Sequence, residues 1–229
     1  MKIKILHLIE GAKCAKGIAV IIDVFRAFSF EAYAFHNGVE KILPVATSEE
    51  CFDMKNNNPS LILAGEINGK IIEGFDYGNS PSEIEKINFK GKTIVHRTSA
   101  GTQGLVNAFN ADEILTGSLV NAKAIANYIR RKNPKYVSLV CMGLGAKAQT
   151  EEDNLCAEYI KSLLENTEID MPTEIKKLKT TSGAKFFDPK QKDVFPQKDF
   201  DFCTKLNIFD FVLKAGKVNG QLTVKRHCT

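Results

Sequence analysis

The run Ile18-Ala19-Val20-Ile21-Ile22 is the feature that most narrows the folds open to this chain. Five consecutive apolar residues, mostly β-branched and without polar alternation, describe a strand covered on both faces. Such a strand needs further layers of structure on each side of its sheet. Asp23 ends the run. From Phe25 to Asn37 the apolar residues fall at helical spacing, and Asn37-Gly38 supplies a stop. The strand, turn, helix unit then recurs, with strands expected at Lys41 to Val45, Leu61 to Ala64, Thr93 to His96, Glu113 to Thr116 and Tyr136 to Met142. Helices are expected from Ser48, after Gly101 to about Asn110, from about Val120 to Arg131, and from about Glu151 to Glu165. Parallel strands need crossover connections, so this alternation predicts a three-layer α/β/α fold with a largely parallel, mixed sheet. Residues 1–229 are expected to form one domain. Its segment from about 171 to 229 departs from the alternation and closes the fold with two short strands, Phe211 to Lys214 and Gln221 to Val224, for which antiparallel pairing is one option.

Composition removes several classes. With 44% hydrophobic and 25% charged residues spread along the chain, neither a disordered nor a fibrous protein fits. The longest apolar stretch, around Ile18 to Val24, contains Asp23 and is far shorter than the roughly 20 residues needed to cross a bilayer. The opening MKIKILHLIEG is too brief in its apolar part for a secretory signal, so a cytoplasmic location is expected. The six cysteines, at Cys14, Cys51, Cys141, Cys156, Cys203 and Cys228, form no CxxC pair or zinc spacing and read as free thiols. A net charge of +4 with both signs interspersed leaves no nucleic-acid footprint. The residues after Pro172 are more basic, which suits an anionic small-molecule substrate as well as RNA.

In open parallel sheets a ligand lies beyond the carboxyl ends of the strands, where free backbone amides at helix starts hold anions. At those ends this chain places Asp23 with Arg26, Glu66, Arg97 with the Thr98-Ser99-Ala100-Gly101-Thr102 turn, Gly117-Ser118, and the loop Gly143 to Asp153. Carboxylates, small hydroxyl residues, glycines and two arginines make a mixture suited to a metal ion and a phosphate together.

Seven segments carry a resemblance. DVFRA (Asp23 to Ala27), AGE (Ala64 to Glu66), EGFDYGNSP (Glu73 to Pro81), TSAGT (Thr98 to Thr102), GSLVNA (Gly117 to Ala122), VSLVCMG (Val137 to Gly143) and EEDNLCAEYI (Glu151 to Ile160) together resemble the 2-phosphosulfolactate phosphatase family. The resemblance spans roughly Ile18 to Ile160. It implies Mg²⁺-dependent hydrolysis of 2-phospho-3-sulfolactate to sulfolactate and phosphate, a step toward coenzyme M. The chain differs from the pattern at Ile67, where many members carry arginine, and at Phe28 and Phe30, which flank Ser29 in place of smaller residues.

The residues then divide into roles, each beside a plainer structural use. Asp23 is expected as a Mg²⁺ ligand or a phosphoryl-accepting nucleophile, or as no more than the cap of the next helix. Arg26 clamps a substrate anion or forms a surface ion pair. Glu66 serves metal or acid-base chemistry or belongs to the Asn68-Gly69 turn. Arg97, Thr98, Ser99, Gly101 and Thr102 form a phosphate cradle or an ordinary N-cap box. Asn79 and Ser80 line the pocket or only start a helix, and Ser118 and Asn121 share that ambiguity. The resemblance raises Glu152 and Asp153, acids at a helix start, to Mg²⁺ ligands. Cys156 is a weaker nucleophile candidate, and His7, His36, His96 and His227 make no ligand pattern. The expected activity is a Mg²⁺-assisted phosphatase acting on a small anionic organic phosphate, with water or a carboxylate attacking, and a homodimer as the default assembly. The rivals are a nucleotide-dependent transferase, weakened by the lack of a glycine-rich phosphate motif, and an anion-binding module without catalysis.

Overall fold

Ile18, Val20 and Ile22 pack into one hydrophobic cluster while Ala19 and Ile21 pack into another, so both faces of this strand are buried. In the computed structural model, which describes residues 1–228, it is β2 (Ile18–Ile22) of a ten-stranded sheet. Beside it run β8 (Tyr136–Cys141) and β7 (Glu113–Gly117), both parallel to it, and β1 (Lys2–His7) lies parallel to β8 at the edge. A second parallel set is β3 (Lys41–Pro44), β6 (Thr93–Arg97) and β4 (Ile62–Ile67), ending in the two-residue β5 (Lys70–Ile71). The sheet is mixed and largely parallel, as expected for this α/β chain.

The closing segment does something that its weak sequence pattern conceals. Its strands, β9 (Phe211–Val218) and β10 (Gln221–Cys228), are longer than expected and form an antiparallel hairpin. They occupy the middle of the sheet, whose order is β1-β8-β2-β7-β9-β10-β3-β6-β4-β5. Three successive antiparallel pairings, β7 with β9, β9 with β10 and β10 with β3, leave the two parallel sets running in opposite senses. A twist of roughly 20–25° per strand-to-strand step curves such a sheet. The carboxyl ends of both sets meet at one place, where Asp23 after β2, Gly143 after β8, Glu66 of β4 and Ser99 after β6 line one cavity.

The inner face of that curve holds α2 (Ala27–His36), in which residues 27–35 are all buried. Its Phe28 and Phe30 share a cluster with Ile21 and Val140 of one set and Ile42, Ala64 and Ile94 of the other. This is why large aromatic residues flank Ser29: they fill the space between two half-sheets. On the outer face, α5 (Ala122–Lys132) and α6 (Glu151–Glu165) cover β2, β7 and β8, while α3 (Ser48–Asn57) covers β3, β4 and β6. The remaining helices are α1 (Leu8–Lys13), α4 (Gly101–Asn107), α7 (Met171–Leu178) and α8 (Gln197–Cys203). Among the described residues, no helix is long and apolar enough to cross a membrane.

Candidate active site

Where β2 stops, the Asp23 N–H donates to the Gly117 carbonyl at 3.3 Å. Its carboxylate Oδ1 accepts the Ala27 N–H at 3.3 Å, at the start of α2. The same side chain lines a cavity of about 480 Å³, so capping and exposure to the cavity are both true of it. From the other half-sheet, Glu66 of β4 accepts the Ser99 N–H on Oε1 at 2.7 Å and the Gly69 N–H on Oε2 at 2.6 Å. Asn68 and Gly69, with φ of 53° and 83°, form the tight two-residue turn between β4 and β5, for which Asn-Gly is the favoured sequence.

Asp153 and Glu152 come from the first turn of α6 and face different ways. Asp153 accepts the Val24 N–H on Oδ1 and the Gly143 N–H on Oδ2, both at 2.8 Å. It thereby fastens the loop after β2 to the loop after β8. Glu152 lines the cavity, and its buried Oε2 has no hydrogen-bond partner among the described residues.

Two cations also line this space. Arg26 donates to Asp199 Oδ2 and to the Gly69 carbonyl, each at 2.8 Å, and lies 4.9 Å from the Phe195 ring centre. Asp199, with no exposed surface, also accepts the Ser80 hydroxyl at 2.8 Å and the Ser82 N–H at 3.0 Å. Lys185, in the short turn Ala184–Phe187, sits 5.8, 5.6 and 5.2 Å from the ring centres of Phe25, Phe186 and Phe195. The loop Gly143 to Glu151 completes the wall.

The family model for 2-phosphosulpholactate phosphatase matches residues 3–217. A protein of Bacillus subtilis (strain 168) named "Probable 2-phosphosulfolactate phosphatase" is 35% identical over 214 residues, covering 91% of each chain. One of the same name from Carboxydothermus hydrogenoformans is 34% identical over 240 residues, covering 98% of each. This chain belongs to the 2-phosphosulfolactate phosphatase family.

In this 2-phosphosulfolactate phosphatase family member the carboxylates crowd one another. Burial, then the charges of Glu66 and Glu152, push the Asp23 carboxyl up to about 7, against the Ala27 amide and Lys185. Burial raises Glu152, while Ser182 and Lys185 pull it down. Asp153 is pushed well above the carboxylate range by burial and by Glu152 and Asp23, despite its two backbone donors. This is an acidic pocket with too little positive charge for its burial. Cys156, by contrast, is fully buried, and burial together with Asp153 and Cys141 drives its thiol up, away from a nucleophilic thiolate.

The structure brings Asp23, Arg26, Glu66, Asn79, Ser99 and Glu152 to the cavity wall and leaves other expected site residues behind it. Arg97 donates to the Glu66 carbonyl at 2.7 Å and so braces β4 from behind. Thr98 and Thr102 cap each other reciprocally, at 3.1 and 3.0 Å, and are buried. A Cβ on Gly101 would stand 3.0 Å from Asp23 Oδ2, so this glycine makes room for the carboxylate without facing the cavity. Of the expected cradle only Ser99 and Ala100 line the space, and the Ser99 amide is already given to Glu66. Ser118 and Asn121 close a capping box, and the Ser118 hydroxyl lies 2.6 Å from that of Ser29, deep in the core. Ser80 turns to Asp199, and Asp153 turns to backbone amides. Ile67 is exposed at the β5 end of the sheet.

Lys185, Phe195 and Asp199 were not reached from the sequence. They lie in the segment where the strand and helix pattern fails, and the only signal for any of them is the raised density of lysine after Pro172. Nothing in Lys198-Asp199-Phe200 distinguishes its aspartate from a surface acid.

Proposed function

We propose that this phosphatase-family chain hydrolyses 2-phosphosulfolactate, or a closely related small 2-phospho acid, to the 2-hydroxy acid and phosphate, with Mg²⁺ as its cofactor. The observation that carries this reading is one cavity with Asp23 and Glu152 on its wall together with Arg26 and Lys185. A substrate bearing two or three anionic groups needs both kinds of wall: cations for its own charge, and acids to hold a divalent counter-ion.

The donor set fits Mg²⁺. Among the described residues, no three His, Cys, Asp or Glu side chains are grouped to hold a metal unaided. Mg²⁺ does not require that, since it is commonly held by one or two carboxylates plus waters and substrate phosphate oxygens. Asp23 and Glu152 would supply those carboxylates, the unpartnered Glu152 Oε2 being a buried oxygen in search of a cation. When bound, the ion would neutralise phosphoryl oxygens and polarise the phosphorus toward attack.

The chain's own residues do the rest. Arg26, fixed by Asp199 and the Gly69 carbonyl, offers a preset guanidinium edge to an oxyanion, and its geometry costs little reorganisation as charge develops. Lys185, a compact charge on a bed of aromatic rings, suits the second acidic group of the substrate. Glu66, held by two amides, sets the positions of the Asn68-Gly69 turn and Ser99.

The test is phosphate release by the purified chain from a panel of 2-phospho acids, with and without EDTA. Turnover of 2-phosphosulfolactate that stops in EDTA and returns with Mg²⁺ is expected. Undiminished turnover in EDTA would remove the metal, and an inactive panel would leave an anion-binding module in place of a phosphatase. Rapid quench with labelled substrate separates attack by water from attack by a carboxylate.

A further inference from the structure

Behind the cavity wall three side chains stand in line. Glu31 Oε1 of α2 lies 2.9 Å from His96 Nδ1, and His96 Nε2 of β6 lies 2.9 Å from Asn79 Oδ1. Glu31 and His96 have no exposed surface, whereas Asn79 reaches the cavity. The imidazole is further fixed by the Phe30 ring, 5.4 Å away between centres. Glu31 is the one acid on a helix that is otherwise packed into the core, and its second oxygen, Oε2, has no partner among the described residues. A buried, half-satisfied carboxylate is a poor way to stabilise a fold, since an apolar pair of similar volume would serve stability as well or better.

With the Asn79 carbonyl oxygen turned to it, His96 Nε2 faces an acceptor and bears the hydrogen of that contact. The Asn79 amide is then anchored by its oxygen, and its NH₂ donates to no other group among the described residues; Asn79 lines this cavity and also the adjoining one beside Ser80 and Glu83. Left unanchored, the terminal torsion of asparagine is broad and roughly two-fold, so the carbonyl would face the cavity for much of the time. Asp23 and Glu152 already supply oxygens there. One more acceptor would repel an anionic ligand, whereas a donor would hold it.

We propose that Glu31 and His96 are positioning residues that lock the Asn79 amide with its NH₂ turned into the cavity, as a hydrogen-bond donor to an oxygen of the anionic substrate. The phosphatase reading enters only in the identity of that anion as a phosphoryl compound.

Two measurements on the full chain test this, with inorganic phosphate plus Mg²⁺ as the probe. In ¹⁵N NMR, His96 Nε2 is expected to carry a proton before and after phosphate is added, and the Asn79 side-chain NH₂ resonance to move as phosphate binds. A His96 Nε2 without a proton, coupled to the Asn79 NH₂, would mean the opposite amide orientation and overturn the proposal. The second measurement uses variants. Asn79→Asp keeps an oxygen for His96 and replaces the donor by an acceptor; phosphate affinity and kcat/KM should both fall about 10- to 100-fold, as for loss of a hydrogen bond to a charged group. The double substitution Glu31→Leu with His96→Phe removes the polar line without stranding a charge. It should keep or raise Tm and still lose about tenfold in phosphate affinity, an effect that a purely structural role would not produce. Wild-type phosphate affinity in that double variant would overturn the proposal even if catalysis by the wild type is firmly established. Conversely, a chain that turns over no phospho acid but shifts its Asn79 resonance with phosphate supports this assignment while removing the phosphatase reading.

Discussion

Asp199 and Arg26 form an ion pair at 2.8 Å, with side chains 0% and 5% exposed, across the seam between the C-terminal segment and the loop after β2. Charges so deeply buried are costly to separate, and Asp199 also holds Ser80 and Ser82. Asp199→Ala is expected to destabilise the fold by about 3–5 kcal/mol, mainly by leaving the guanidinium unpaired. Chemical denaturation measures that cost. Arg26→Lys, which keeps the charge but cannot bond Asp199 and the Gly69 carbonyl with one planar fork, should raise KM for phosphorylated substrates by about tenfold or more.

Asp23 ties stability to pH. Its folded-state carboxyl sits at about 7 against an ordinary 3.8, so between these values the folded state keeps a proton that the unfolded state has lost. The contribution is fully present below the unfolded value and disappears as pH rises through about 7. Thermal melts in EDTA should therefore show wild-type stability falling between pH 5 and 8 by more than that of Asp23→Asn. The asparagine variant should be inactive yet more stable than wild type at the upper end. A parallel pH dependence for the two proteins would remove Asp23 as the cause.

Neighbouring acids in α6 should behave differently when neutralised. Glu152→Gln leaves the backbone untouched and is expected to weaken Mg²⁺ binding by at least about tenfold, roughly 1.4 kcal/mol, with little change in Tm. Asp153→Asn would set an amide NH₂ against one of two backbone donors, Val24 or Gly143, and should lower stability by about 1–3 kcal/mol. Isothermal titration with Mg²⁺ and a thermal melt on each variant give the comparison.

Lys185 should decide which acids are accepted. Lys185→Met retains a long apolar side chain over Phe25, Phe186 and Phe195 and removes the charge. KM for a substrate with a second acidic group should rise by about 10- to 100-fold, as expected for losing a charged contact. A simple phosphate monoester lacking that group should be far less affected. Steady-state kinetics with the two substrates settles the point, and equal losses on both would argue against it.

The parts of this fold that follow local rules were legible in the residues. β2, β6, β7 and β8 came from β-branched runs, the helices between them from apolar spacing, Asp23, Glu66, Ser99 and Glu152 from asking what each strand end delivers, and Asn79 from the turn before Pro81. What escaped was long-range. Lys2–His7 forms an edge strand because β8 offers it a partner, not because its alternating lysines announce one. Ser118 and Thr102 carry the residue types of a phosphate cradle, yet their hydroxyls are spent on neighbours in the core. Arg97 and Asp153 lie at the right ends of the right elements, but their side chains turn toward backbone groups, Arg97 to β4 and Asp153 to the loops after β2 and β8. Pattern gives the position of a Cα; the direction of a side chain depends on which acceptor happens to be near it.

The placement of β9 and β10 carries a consequence for how the molecule comes into being. They follow every other strand in the chain, yet they are the bridge between the two halves. During synthesis every other strand is made before that hairpin, so the sheet that spans the pocket is continuous only once the hairpin has left the ribosome and slotted between the halves. A nascent chain stalled before Phe211 would hold both sets of reactive groups without the two strands that join their sheets.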